Sequence, residues 1–176
     1  MGSFHKTLFL SGEFWRAGTA ALLHANEAHL FNNLVSLLIM GHLLERDLGF
    51  WRMLALMLVA QAGTIAVSLL TPDHFSMGAS GITYGLTGAF ISRALLQEGL
   101  QALRGLQPWR AFFKSLQGAL GYVLILTLLN WQMMDVVDVW GHLGGFVAGA
   151  ALVAWWHVFE AAPHSVKPIQ NPKNAD

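Results

Sequence analysis

A serine stands among small residues at Gly78-Ala79-Ser80-Gly81, where a polar turn gives way to an apolar stretch, and Tyr84 follows one helical turn later. A serine hydroxyl is a poor nucleophile until a base takes its proton, and histidine is the side chain best matched to that task near neutral pH. His142, within Trp140-Gly-His-Leu-Gly-Gly145, is the candidate base. Acyl transfer also needs donors where oxyanion charge develops. His29 and Asn33 lie four apart, on one face of a helix. They are candidate donors, together with the Ser80 backbone N–H at an open helix start. Nucleophile, base and oxyanion donors are thus all present in type. Each also has a plainer reading. Ser80 suits an N-cap, His142 a core histidine bonded to a carbonyl, and His29 and Asn33 polar glue between helices. Tyr84 suits ordinary packing with a satisfied hydroxyl.

Whether these residues meet depends on the elements that carry them. The chain has 176 residues, long enough for one domain, of which 55% are hydrophobic and only 11% charged. That is too apolar for an ordinary soluble domain and predicts an all-α, polytopic membrane bundle of about five spanning helices. There is no cysteine, so disulfides and thiolate metal sites are excluded. Formal net charge is zero, and nothing directs the chain to nucleic acid. Met1 to Leu10 is too short and too weakly patterned for a signal peptide.

Residues 1–13 read as an N-terminal arm, 14–160 as the membrane domain and 161–176 as a disordered polar tail with three prolines. Within the domain, Phe14-Trp15-Arg16 suits a headgroup boundary, and Ala17 to Leu23 is interfacial. Spans are expected over 28–44, 51–70, 80–96, 116–129 and 140–158. A charged turn at 45–49 separates the first two, and Thr71-Pro72-Asp73 ends the second. With the N-terminus outside, eight of the ten basic residues fall inside, all but Lys6 and Arg16, as the positive-inside rule demands.

In that arrangement spans one, three and five run the same way. His29/Asn33, Ser80 and His142 then lie at similar depth near the outer face. Polar groups there must pair or meet water, since an orphan in hydrocarbon costs several kcal/mol. Gly81 and Gly85 on span three, and Gly141, Gly145 and Gly149 on span five, are ridges that let two helices approach closely. Packing the ridges together would bring the hydroxyl to the imidazole.

Taken together, Trp15-Arg16, His24-x4-His29-x3-Asn33, Glu45 with Gly49, Gly78-x-Ser80-Gly81-x-x-Tyr84 and His142-x-x-Gly145-x3-Gly149 resemble the rhomboid family of intramembrane serine proteases, in the family's order over about residues 14–158. The resemblance implies a Ser80–His142 dyad, an oxyanion hole from Asn33, His29 and the Ser80 N–H, and Tyr84 packed against His142 to orient it. Gly78, Gly81, Gly145 and Gly149 would support the site. It implies cleavage of transmembrane protein substrates within the lipid bilayer near the outer face, with no metal or cofactor. The expected location is a bacterial inner membrane, with the C-terminus cytoplasmic. Family cores usually have six helices, and the helix preceding the Trp-Arg segment is expected to be lacking here. The alternative is a non-catalytic rhomboid-like protein that binds or escorts membrane helices, although such relatives usually lack the serine or the histidine.

Other chemistries fit poorly. There is no His-Glu-x-x-His for zinc. A hydrolase elbow needs glycine where Ile82 stands. A transporter would carry ionisable residues at mid-depth. Asp138, four residues before His142, is a candidate third triad member, with a loop over Asp135 to Asp138 the preferred reading. His24 reads as interfacial, and His42 lies near the inner face.

Overall fold

A computed structural model describes residues 2–71, 75–129 and 138–160. The expected tail at 161–176, the Pro72-Asp73 stop and most of the 135–138 loop lie outside the described residues. The described chain is helical apart from a two-residue strand pair. In order it forms β1 (Phe4–His5), α1 (Lys6–Leu10), α2 (Arg16–Thr19), a 3₁₀ turn (Ala20–Leu22), α3 (Glu27–Leu70), β2 (Phe75–Ser76), α4 (Ser80–Arg93), a π-turn (Ala94–Gly99), α5 (Leu100–Leu103), α6 (Trp109–Leu129) and α7 (Val139–Glu160).

The first two expected spans are both in α3, which breaks at Gly49, with φ 72° and ψ 168°. That backbone region is open essentially to glycine alone. The chain reverses there. Residues 27–48 and 50–70 lie back on each other, and Met40, Leu44, Met53 and Leu56 share one buried cluster. Helix persists through Glu45-Arg46-Asp47, where a charged turn is expected. These residues tolerate a helix and stay exposed at its end. With α4, α6 and α7 this makes five helical arms. α6 begins seven residues before the expected 116, because Arg110 and Lys114 sit at its polar end and their stems can run along apolar surface.

The bundle buries hydroxyl side chains alongside its apolar core and is apolar outside. Thr64, Thr83 and Thr87 are buried and turn their hydroxyls back onto carbonyls of their own helices at 3.0, 2.8 and 2.9 Å. Leu34, Leu38, Leu58, Leu124, Val147 and Phe159 are exposed along the helices. That distribution suits hydrocarbon as the surrounding solvent. Two helices, Glu27–Leu70 and Val139–Phe159, are by length and composition able to cross a membrane.

α4 is the axis, packed on α7 and on the second arm of α3. Side chains at its glycines would strike backbone or Cβ atoms. Gly81 abuts Thr64, Gly85 abuts Ala60 and the Gly145 carbonyl, and Gly88 abuts the Phe146 carbonyl. From α7, Gly145 and Gly149 meet the carbonyls of Gly81 and Gly85.

The N-terminal arm is drawn onto this bundle. Phe4 pairs with Ser76 and His5 with Phe75 in an antiparallel ladder, and the fully buried Phe4 packs with Ala20 and Ile65. Arg16 ties the arm down, donating to the Ser3 carbonyl at 2.9 Å and to Glu13 at 2.8 Å.

Candidate active site

Ser80 is the first residue of α4 and His142 sits in the first turn of α7. The glycine contacts bring these helix starts together, and Ser80 Oγ lies 2.6 Å from His142 Nε2. With the hydroxyl donating, this leaves Nε2 as the unprotonated nitrogen ready to take the proton. Tyr84 stacks on the imidazole, with centroids 4.5 Å apart and planes 11° from parallel. Ring on ring, it limits how far His142 can turn.

On the other side of Ser80, the first arm of α3 presents His29 and Asn33 to the turn that precedes α4. Asn26 caps that arm, its side chain accepting the His29 N–H at 2.8 Å. Gly78 is where the two meet. It has φ 107°, a region that favours glycine, and a Cβ there would lie 2.7 Å from His29 Cε1 and 3.2 Å from Asn33 Nδ2. The Gly78 N–H donates to the Ala20 carbonyl at 2.8 Å, fixing the turn against the 3₁₀ segment.

Asn33 is 5% exposed, yet its Nδ2 has no hydrogen-bond partner among the described residues, and neither has His29 Nδ1. A buried donor left unmade costs about 1–3 kcal/mol, so such groups ask for an explanation. Here the orphan amide faces the turn that leads into Ser80. An acceptor arriving at that serine would satisfy it.

His24, read from sequence as interfacial, belongs to this cluster. Its ring meets His29 edge to face at 5.1 Å, and its Nε2 accepts the Ala79 N–H at 3.4 Å. Burial lowers its pKa from the ordinary histidine value, more than a bond to the Leu22 backbone raises it. The neutral ring is the form that can accept from Ala79. His42 is exposed towards the Gly49 end of the first arm, away from the cluster.

Asp138 has another role than a triad member. Its Oδ1 accepts the Gly141 N–H at 2.7 Å, its Oδ2 meets the Ser68 hydroxyl, and its own carbonyl accepts the His142 N–H at 3.0 Å. It is the N-cap of α7 and pins that helix start to α3. An Asp immediately before an apolar helical run is a start signal legible in sequence. The pairing with Ser68, seventy residues earlier, is not.

A rhomboid domain matches residues 11–158. The chain belongs to the rhomboid family. It is 32% identical over 153 residues to RHOMBOID-like protein 5 of Arabidopsis thaliana, covering 85% of this chain and 46% of that protein. It is 30% identical over 149 residues to the rhomboid protease GluP of Bacillus subtilis, covering 84% and 27%. Rhomboid-like protease 3 of Toxoplasma gondii is 29% identical over 165 residues, covering 89% and 57%. The chain thus spans less than two thirds of each of these rhomboid relatives. Among the described residues no group of three or more His, Cys, Asp or Glu could hold a metal ion.

Proposed function

We propose that this rhomboid is an intramembrane serine endopeptidase that cleaves transmembrane proteins near the outer face. The observation that carries the reading is the 2.6 Å contact between Ser80 Oγ and His142 Nε2 beside a buried Asn33 Nδ2 that has no partner among the described residues. His142 takes the hydroxyl proton as Ser80 attacks a carbonyl of an unwound substrate segment. The Ser80 N–H, Asn33 and His29 hold the oxyanion, each such donor contributing on the order of a hundredfold to a thousandfold in rate. His142 then protonates the leaving amine, and water releases the acyl-enzyme. Tyr84 keeps the imidazole in line for both transfers. No cofactor takes part in these steps.

The membrane orientation belongs to the same proposal. Lys6 and Arg16 lie at the Ser80 end, while Arg46, Arg52, Arg93, Arg104, Arg110 and Lys114 lie towards the other, so on the positive-inside rule the site opens outward and the C-terminus is cytoplasmic. A bacterial inner membrane is the proposed location. A protein that only bound membrane helices would leave the Ser80–His142 contact and the Asn33 donor without a task.

The test is reconstitution with a transmembrane reporter carrying small and helix-destabilising residues near its outer boundary. Cleavage by the wild type and none by Ser80→Ala supports the proposal. Unchanged cleavage in Ser80→Ala sinks it.

A further inference from the structure

Residues 2–6 take no part in the proposed chemistry, yet each of them is held. Thr19 Oγ1 donates to the Gly2 carbonyl at 2.7 Å, and Arg16 donates to the Ser3 carbonyl at 2.9 Å. Phe4 is fully buried, and His5 pairs with Phe75. Lys6 Nζ donates at 2.9 Å to the carbonyl of Thr71, the residue that caps the end of α3. A ladder of two residue pairs is too short to persist by itself, so these tethers keep β1 in place.

What β1 holds is the approach to Ser80. Phe4 stands opposite Ser76 in the ladder, two residues before Gly78. Its ring packs with Ala20 and Ile65, and the Ala20 carbonyl is the acceptor of the Gly78 N–H. Ile65 in turn follows Thr64, the residue against which Gly81 lies. Phe4 therefore braces the Gly78 turn twice, along the chain through Ser76 and across space through Ala20. Glycine is the least restricted backbone, and at a φ of 107° Gly78 depends on such outside contacts to stay in one conformation.

We propose that β1 is a strap and Phe4 a positioning residue, which together hold the Gly78 turn so that the Ser80 N–H and Asn33 Nδ2 face one oxyanion. Phe4 acts through Ala20 and Ser76, not on the substrate. The effect on rate rests on the reading of Ser80 as the nucleophile, whereas the bracing of the turn does not. A small displacement of an oxyanion donor is costly, because the donor is aimed at charge that exists only in the transition state.

The experiment uses the full chain reconstituted with the transmembrane reporter, comparing Phe4→Ala, Phe4→Leu, Lys6→Met and Leu44→Ala with wild type. Leu44 is as fully buried as Phe4 but lies near the Gly49 reversal, so Leu44→Ala controls for lost packing alone. Phe4→Ala should lower kcat on the order of tenfold to a hundredfold with KM little changed. Phe4→Leu should recover most of that rate, and Leu44→Ala should lose stability while the folded protein keeps its kcat. Lys6→Met removes a tether without opening the core, and so keeps the test decisive if Phe4→Ala fails to fold. Hydrogen–deuterium exchange on the same samples reads the turn without any catalysis. Peptides covering Gly78 to Ser80 should exchange faster in Phe4→Ala and Lys6→Met, and at the wild-type rate in Leu44→Ala. Three results would overturn the proposal: unchanged exchange of the turn in both strap variants, an equal kcat loss in Leu44→Ala, or a faster-exchanging turn with kcat intact while Ser80→Ala is inactive. Failure of the nucleophile reading looks different, since Ser80→Ala would then still cleave and the exchange rates would decide the strap by themselves.

Discussion

Where α4 meets α7, glycine backbones touch; where α6 meets the bundle, side chains do. Gly85 and Gly149 leave no room for a methyl group, whereas a Cβ added at Gly118 or Gly121 of α6 meets open space. α6 is held by the buried Phe112 and Ala119, a Ser115–Glu98 hydrogen bond of 3.0 Å and a long Tyr122 contact to the Ser36 carbonyl at 3.4 Å. The dyad is carried on the first contact and not on the second. Close backbone packing has few alternative arrangements, and that is what a 2.6 Å geometry between two helices requires.

The largest expected effect is at that contact. Gly149→Val forces side-chain atoms into the Gly85 backbone and should cost at least about 3 kcal/mol, the upper end for overpacking. The check is thermal unfolding in detergent micelles; a wild-type Tm would show that the ridge does not hold the fold. Gly78→Ala comes next. It strains a positive φ by about 1–3 kcal/mol and pushes against His29 and Asn33. It should abolish peptide cleavage while the circular dichroism of the helices survives. Asp138 separates capping from catalysis. Asp138→Ala should lose about 1 kcal/mol of stability, and Asp138→Asn, an equal cap, should keep most activity. A large activity loss in the folded Asn variant would return the carboxylate to the mechanism. Smallest is Gly118→Ala, which improves helix propensity by up to about 1 kcal/mol and should leave Tm unchanged or slightly raised. A fall in Tm there would mean that α6 is packed as tightly as α4.

Much of this was legible because membrane helices advertise themselves. Span limits, glycine ridges and the polar residues in first turns all follow local periodicity, and depth matching then links Ser80, His142, His29 and Asn33. What local pattern cannot show is long-range pairing. Two-residue strands carry no alternation, so the ladder of Phe4 and His5 with Phe75 and Ser76 has no sequence signal. His24 accepts the Ala79 N–H from fifty-five residues away, so that contact has no local signal. The charged run before Gly49 looked like a turn, yet only the glycine breaks the helix, since charged side chains are content on an exposed final turn.

The most direct measurement is labelling of the purified protein with a serine-directed fluorophosphonate, followed by peptide mass mapping. The expected result is an adduct on Ser80 that disappears in Ser80→Ala and in His142→Ala. A folded wild type that leaves Ser80 unlabelled, or a His142→Ala variant labelled as fast as wild type, would contradict it.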